Sequence, residues 1–313
     1  MQRKRRSLLD VISGVLAIAV LATFAFFLVS PMRAFVLVAT GRGTGCPLAR
    51  ALWTHSAMEA EDARQTRISK ASRIISEDAA VGIDLWETPK GKYWLPKNQK
   101  DLLASLLAEQ EEHIYGADDL AVRAGDVVFD CGAHIGVFSR VAVAAGAKLV
   151  VAVEPSPLNL ECLRRNMAPE IAAGRVIVVP EGVWDTDGKL PFHMDPANSA
   201  GNSLLVGEKG AKPRPITIEV PLTTVDNLAA RFKLERVDFI KMDIEGAETN
   251  ALRGARATIR AYRPRMAICT YHTRTDAVQV PIEVRKAKAD YRTECGPCEE
   301  QDFRIIPQVM LFY

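Results

Sequence analysis

The sequence predicts a doubly wound α/β domain carried behind an N-terminal transmembrane helix. Three observations lead there. From Asp126 onward short apolar runs alternate with helical stretches, the first run ends in a glycine-containing turn (DCGAHIG), and Val11–Met32 holds no charged residue behind a basic tip. The 313 residues are 48% hydrophobic and 25% charged, which excludes disordered, collagenous and disulfide-scaffold classes. The net charge of +2 is uneven: residues 1–10 carry +3, leaving −1 for the rest. A near-neutral body argues against a nucleic-acid-binding surface.

The N-terminal elements follow in order. Residues 1–10 are a basic tip, RKRR among them, and residues 11–30 are the expected anchor. A helix over Val11–Ser30 rises about 1.5 Å per residue and covers roughly 30 Å, the thickness of a bilayer core. Its polar residues are only Ser13, Thr23 and Ser30, too few for the polar stripe of a surface helix. Pro31 is expected to stop it. A cleaved signal peptide is the main rival, but the run is long for one and no small-x-small site follows directly. Cys46 in GTGC resembles the end of a lipoprotein site, although Gly43 stands where an aliphatic residue belongs. The expected location is a bacterial inner membrane, spanned once. The positive-inside rule sends the body outward, and Arg33, Arg42 and Arg50 on the other flank weaken that orientation. Residues 31–82 read as a juxtamembrane helical linker, with EAEDARQTRISKASRIISED as its helical part.

In residues 83–125, IDLWETPKGKYWLP alternates around a Pro-Lys-Gly-Lys turn and predicts a hairpin. KDLLASLLAEQEEHIY then has helical spacing, with Leu102, Leu103, Leu106 and Leu107 on one face. The core, residues 126–313, begins with DVVFD (126–130) and continues with LVVAV (149–153), VIVVP (176–180), VDFIKM (237–242) and MAICTY (266–271). Consecutive apolar positions suit parallel strands buried on both faces. Helices are expected at 136–145, 157–168, 223–232 and 247–261, and QVMLFY closes the chain as a last strand.

The motifs sit where such sheets bind ligands. Gly132 and Gly136 permit a tight turn after the first strand, and the helix expected from Ile135 would present free N–H groups there. Glu154 ends the next strand, 18 positions past Gly136, and suits a two-oxygen grip on ribose hydroxyls. An exposed strand-end charge is the plainer reading of Glu154. A nicotinamide-binding GxGxxG spacing is absent, and Asp130 would oppose a pyrophosphate. A carboxylate there better suits a ligand carrying an ammonium and a sulfonium, which points to S-adenosylmethionine.

VVFDCGAHIGVFSRVA, VVAVEPSPLNLECLRRN, VPLTTVDNL and VDFIKMDIEGAETNALRGA resemble the successive signatures of FkbM-type methyltransferases. TPKGKYWLP, PRMAICTYH and VMLFY extend the resemblance across residues 83–313. It implies a class I methyltransferase (Rossmann-like) fold: a seven-stranded sheet, mostly parallel, with an antiparallel last strand. It also implies methyl transfer from S-adenosylmethionine, usually to a hydroxyl of a sugar or polyketide-like acceptor. Carried over by motif, Asp130, Gly132 and Gly136 would face the methionine end and Glu154 the ribose, with Glu181 and Gly182 near the adenine. His134 stands where many relatives carry Asn. A cytosolic cofactor conflicts with the outward orientation favoured by the basic tip.

On the acceptor side, KMDIEGAE places Lys241, Asp243 and Glu245 at alternate positions, facing one side if the chain stays extended. Asp243 and Glu245 are candidates for the base or for a Mg²⁺ site, although nothing in the spacing demands a metal and no metal site is assigned. His272 at the end of the next strand is the other base candidate. The plainer readings are that Asp243 closes the cofactor pocket, Glu245 caps the following helix, His272 is a structural hydrogen bonder and Glu248 is solvated or supporting. Cys295-Gly-Pro-Cys298 lacks the second pair a zinc site needs, so a surface turn is expected. Trp86, Tyr93 and Trp94 fit either an acceptor pocket or a core. The expected protein is a membrane-anchored O-methyltransferase acting on a sugar, glycan or lipid-linked acceptor and not on nucleic acid. The alternatives are an N-methyltransferase on the same fold and a non-catalytic scaffold that keeps the cofactor fold.

Overall fold

The computed structural model describes residues 13, 15–18, 20, 30–205 and 216–313. The expected membrane span therefore lies largely outside the described residues. Among those described, no helix is long and apolar enough to cross a membrane. Val15, Leu16, Ile18 and Val20 are helical and 61–68% exposed.

The helix α1 (Ser30–Ala39) contains Pro31, where a stop to helical structure is expected. Two more helices follow, α2 (Leu48–Leu52) and α3 (Thr54–Ala71). The helical reading of 59–78 holds only to Ala71, after which Arg73–Asp78 forms strand β1. That strand pairs antiparallel with β2 (Ile83–Thr88), which pairs with β3 (Gly91–Pro96) as the predicted hairpin. Helix α4 (Lys100–Glu112) ends at His113, which adopts φ 55. Trp86, Tyr93, Leu103 and Leu107 pack with Ile68, Ile135 and Cys162. The aromatic residues of the hairpin therefore serve packing.

The main sheet has seven strands: β4 (Val127–Cys131), β5 (Leu149–Val153), β6 (Val176–Val179), β10 (Phe239–Met242), β11 (Arg265–Cys269), β12 (Thr293–Cys295) and β15 (Val309–Phe312). Their order is β12-β15-β11-β10-β4-β5-β6. β15 runs antiparallel to both neighbours, and the other pairings in this sheet are parallel. This is the class I methyltransferase-like arrangement, with the antiparallel strand where it is expected. The sequence reading lacks β12, a three-residue strand.

Both faces of the sheet are covered, and alternate residues divide between them. Val151, Val153, Ile240, Met242 and Ile268 pack on one side with Val225, Leu228 and Ile259. Val150, Ala152, Phe239 and Ala267 pack on the other with Phe138, Leu160 and Leu163. The helices responsible include α5 (Val137–Ala144), α6 (Pro157–Asn166) and, after the five-residue α7 (Ala168–Ala172), α8 (Val225–Arg231). They continue with α9 (Glu248–Arg253), α10 (Arg256–Tyr262) and α11 (Asp276–Ala287). The helix expected over 247–261 is thus two, broken at Gly254, where a Cβ would stand 2.2 Å from the Trp184 carbonyl oxygen. A second small sheet follows β6 in the chain, in the order β7 (Gly182–Val183), β9 (Ile216–Thr223) and β8 (Gly188–Met194).

The segment around Cys46 is tied to the C-terminal region. Cys46 and Cys298 form a disulfide across 252 positions, with the Cys295 thiol buried beside both. Cys298 opens β13 (Cys298–Gln301), which pairs with β14 (Arg304–Pro307). Arg33 forms an ion pair with Glu300 across the same junction. Cys295 and Cys298 are buried at 8% and 5% exposure, so the expected surface turn is corrected.

Candidate active site

A cavity of about 390 Å³ opens at the carboxyl ends of β4, β5, β6, β10 and β11, where ligands bind in open α/β sheets. Helix α4 and the 198–204 segment cover it from the other side. Its size falls in the range of small-molecule sites, about 300–1,000 Å³.

One half of the cavity is built on the β4 turn. Gly132 has φ +78, and a Cβ there would stand 1.9 Å from the Asp243 carbonyl oxygen. Only glycine lets the ends of β4 and β10 approach so closely. The N–H groups of Gly132 and Ala133 donate to Val153 O, that of Gly136 to Ala133 O, and that of His134 to Glu154 Oε2. These four donors are used within the turn, and α5 begins at Val137, two residues past the expected start. Gly136 does not line the cavity. Its absent side chain makes room for Leu163 and Met167, at 2.6 and 3.1 Å from where a Cβ would be.

Asp130 is also corrected. It is fully buried behind the cavity, accepting from Ser139 Oγ at 2.6 Å and pairing with Lys241 Nζ at 3.3 Å. Lys241 donates to Gly132 O at 2.7 Å and lies 3.9 Å from Asp243 Oδ2. Burial disfavours its charge, but Asp130 and Asp243 outweigh burial and hold its pKa above the ordinary value. Lys241 is therefore a clamp between strand ends, not a base.

Glu154 lines the cavity as expected, yet most of its acceptor capacity is already used. His134 N, Ser156 N and Asn159 Nδ2 donate to it at 2.9, 2.9 and 3.3 Å. A carboxylate has about four lone-pair positions, so roughly one remains. The two-oxygen grip gives way to a single bond. Burial pushes the Glu154 pKa up to about 7 against these hydrogen bonds.

His134 has φ 49, a conformation that Asn and His tolerate better than most residues, which gives a physical reason for an Asn-to-His exchange here. Its Nε2 lies 2.8 Å from Ser199 Oγ, which in turn donates to Gln99 Oε1 at 2.6 Å. With its one proton so committed, Ser199 accepts from His134 Nε2–H, leaving Nδ1 as a buried acceptor with no hydrogen-bond partner. Burial and the Lys241 charge lower the His134 pKa to about 3, so the ring is neutral. Glu181 and Gly182 also line the cavity, with Glu181 paired to Arg231 at 2.6 Å.

The other half gathers Asp243, Glu245 and His272. His272 Nε2 is 3.3 Å from Asp243 Oδ1 and 3.5 Å from Glu245 Oε1, while Nδ1 meets Glu248 Oε1 at 2.9 Å. Tyr115 Oη donates to Asp243 Oδ2 at 2.8 Å. The chain leaves the extended form after Met242, with Glu245 at φ 55 and Gly246 at φ 95. Glu245 is held in this costly left-handed conformation by Ser203 Oγ, which donates to its carbonyl at 2.7 Å. The cap of α9 is Ala247, without a side-chain cap, so the capping reading of Glu245 fails. Glu248 is fully buried and accepts the Ile244 N–H, which makes it supporting and not solvated.

Charge in this half is strongly set. Burial opposes ionisation of Asp243, but Lys241, His272 and Tyr115 hold its carboxyl well below the usual range. Burial likewise opposes charge on His272, but Glu248, Glu245 and Asp243 hold its pKa well above the ordinary value. With these neighbours alone, Asp243 is held as the anion and His272 toward the protonated form, and neither form is a good base at neutral pH. Glu109 on α4, absent from the sequence reading, lines the same cavity. Burial, with the charges of Asp243 and Glu61, pushes its pKa up to about 8. Its signal is an acidic residue continuing the Leu102–Leu106 stripe at helical spacing.

A model of the methyltransferase FkbM domain matches residues 130–306, more than half of the chain. The chain belongs to the FkbM methyltransferase family. Methyltransferase sdnD of Sordaria araneosa is 28% identical to this FkbM protein over 170 residues, 46% of this chain and 64% of that protein. The chain thus spans just under two thirds of that curated relative. Among solved structures, methyltransferase FkbM from Methylobacillus flagellatus KT aligns with 83% of this chain and 60% of its own, at 18% identity and TM-score 0.44. A SAM-dependent O-methyltransferase from Thermotoga maritima aligns with 73% of this chain and 76% of its own, at 14% identity and TM-score 0.34.

Proposed function

We propose that the protein is an S-adenosylmethionine-dependent O-methyltransferase whose acceptor is a hydroxyl on a sugar, glycan or lipid-linked molecule. The observation that carries this reading is one cavity joining two unlike halves. Acceptors stand at one end, His134 Nδ1 and the remaining Glu154 lone pair, and a carboxyl poised near neutrality, Glu109, belongs to the other.

The residues fit the cofactor: Glu154, with about one acceptor position left, would take one ribose hydroxyl, and the unpartnered His134 Nδ1 would take an N–H. S-adenosylmethionine, when bound, supplies a methyl group on a positively charged sulfur. Lys241 fixes the Gly132 carbonyl and Asp243 relative to each other, so both halves keep one geometry. Glu109 would take the proton that the acceptor hydroxyl loses, with the methyl–sulfur bond supplying the leaving group. Positioned carboxylates typically contribute about 10²–10⁴-fold to such a step.

An amine acceptor would need the same fold but no base once neutral, and the elevated Glu109 carboxyl favours the hydroxyl reading. Attachment to a membrane through residues 11–30 belongs to this proposal. The exposure of Val15, Leu16, Ile18 and Val20 supports it. The test is methyl transfer from labelled S-adenosylmethionine to cell-envelope glycan and glycolipid fractions. A base-stable ether methyl on a sugar oxygen is the expected product. Label confined to amine nitrogen would replace the hydroxyl reading, and no label in any fraction with the folded full chain would contradict it.

A further inference from the structure

Between the ends of β10 and β11, two carboxylates and an imidazole converge without hydrogen bonding one another. His272 Nε2 makes no hydrogen bond, although its side chain is only 5% exposed. It aims between Asp243 Oδ1 at 3.3 Å and Glu245 Oε1 at 3.5 Å. The opposite ring nitrogen is held by Glu248 Oε1 at 2.9 Å, and that oxygen also accepts the Ile244 N–H at 2.9 Å. A carboxylate fixed by the backbone that grips one imidazole nitrogen is how proteins orient the other nitrogen toward a metal ion. The spacing agrees: ligand atoms bound at about 2.1 Å stand about 3.0–3.4 Å apart at octahedral or tetrahedral angles.

Charge points the same way. Asp243, Glu245 and Glu248 surround one imidazole, and Asp130 lies behind them with Lys241 between. Lys241 donates to Gly132 O and is clamped toward Asp130, so its charge lies behind the cluster and not at its centre. Tyr115 contributes a hydroxyl to Asp243 but no charge. Asp243, Glu245 and the imidazole together form a donor set of two carboxylates and one ring nitrogen that a doubly charged cation satisfies. The left-handed backbone of Glu245, held by Ser203 Oγ, leaves its carboxylate 3.5 Å from His272 Nε2.

We propose that Asp243, Glu245 and His272 bind a divalent cation of the Mg²⁺ or Mn²⁺ class, with Glu248 as the positioning residue that orients His272. Two hard oxygen ligands and one imidazole suit Mn²⁺ better than a thiophilic ion. The remaining coordination positions face the cavity, where an acceptor oxygen could bind. This deepens the methyltransferase reading and rests on it only for what the cation holds.

The test uses the full chain stripped with a chelator and titrated with Mn²⁺ alone, read by electron paramagnetic resonance. The expected result is one tightly bound Mn²⁺ per chain with electron spin-echo modulation from one imidazole nitrogen. Glu245→Gln should weaken binding at least 10-fold, and Glu248→Gln by about 10–100-fold. The nitrogen signal of the unmodified protein requires no variant, so a misfolded substitution leaves the question decidable. Absence of stoichiometric Mn²⁺, or Mn²⁺ without the nitrogen coupling, overturns the site. Calorimetry with S-adenosylmethionine on the same samples separates the two readings. Cofactor binding without Mn²⁺ removes only the cation, and Mn²⁺ binding without cofactor removes only the cofactor assignment.

Discussion

At the residue scale, the site is governed by which carboxyls are spoken for. Asp130, Asp243 and Glu154 are each held by hydrogen bonds or by Lys241, whereas Glu109 is lifted to about 8 by burial and like charge. The turnover of an enzyme using Glu109 as base should therefore rise with pH through about 8 and level off above it. Glu109→Gln should remove that limb and lower kcat by about 10²–10⁴-fold with cofactor affinity kept, as measured by pH-dependent kinetics and titration. The same shift has a stability sign. Between its ordinary 4.5 and about 8 the folded carboxyl keeps a proton that the unfolded chain has lost. Stability of the unmodified protein should fall across that window relative to Glu109→Gln. Strand-end residues such as Glu154, Asp243 and His272 were legible because they follow apolar runs. Glu109 was not, because an acidic residue on a helix looks solvated until the helix's partner is known. For Asp130, the strand end was visible, but not its burial beneath Lys241.

At the element scale, double-sided burial made the central strands readable: β5 coincides with LVVAV, and β4, β6, β10 and β11 lie within two residues of the expected ends. What escaped notice carried little apolar signal. β1 is almost wholly exposed, and β12 is a short edge strand. The small β7–β9–β8 sheet lacked a continuous apolar run at β8, where most positions are exposed or half-buried. The contact between β4 and β10 yields a sharp expectation. Gly132→Ala places a Cβ against the Asp243 carbonyl in a left-handed backbone, and should cost about 3 kcal/mol or more. Gly174, also left-handed at φ +70 but with nothing within 4 Å of its added Cβ, supplies the comparison: Gly174→Ala should cost only about 1–2 kcal/mol. Urea unfolding of the two variants measures the difference, and equal costs would remove the close approach from the account.

At the scale of the whole molecule, the cavity belongs to several distant parts of the chain. Helix α4 delivers Glu109, the turn after β4 delivers His134, and the ends of β10 and β11 deliver the acidic cluster. The Cys46–Cys298 bond and the Arg33–Glu300 pair fasten the segment after the basic tip to the C-terminal strands. The net charge of +2 consequently describes neither part well, since the chemistry lies in a few carboxyls at strand ends. The proposed function rests most on one point, that S-adenosylmethionine would be held at the Glu154–His134 end of the cavity. Isothermal titration of that cofactor into the full chain tests it most directly. The account predicts saturable binding at one molecule per chain, weakened about 10-fold or more in Glu154→Gln. A folded protein that releases no binding heat and is not stabilised by the cofactor would contradict it.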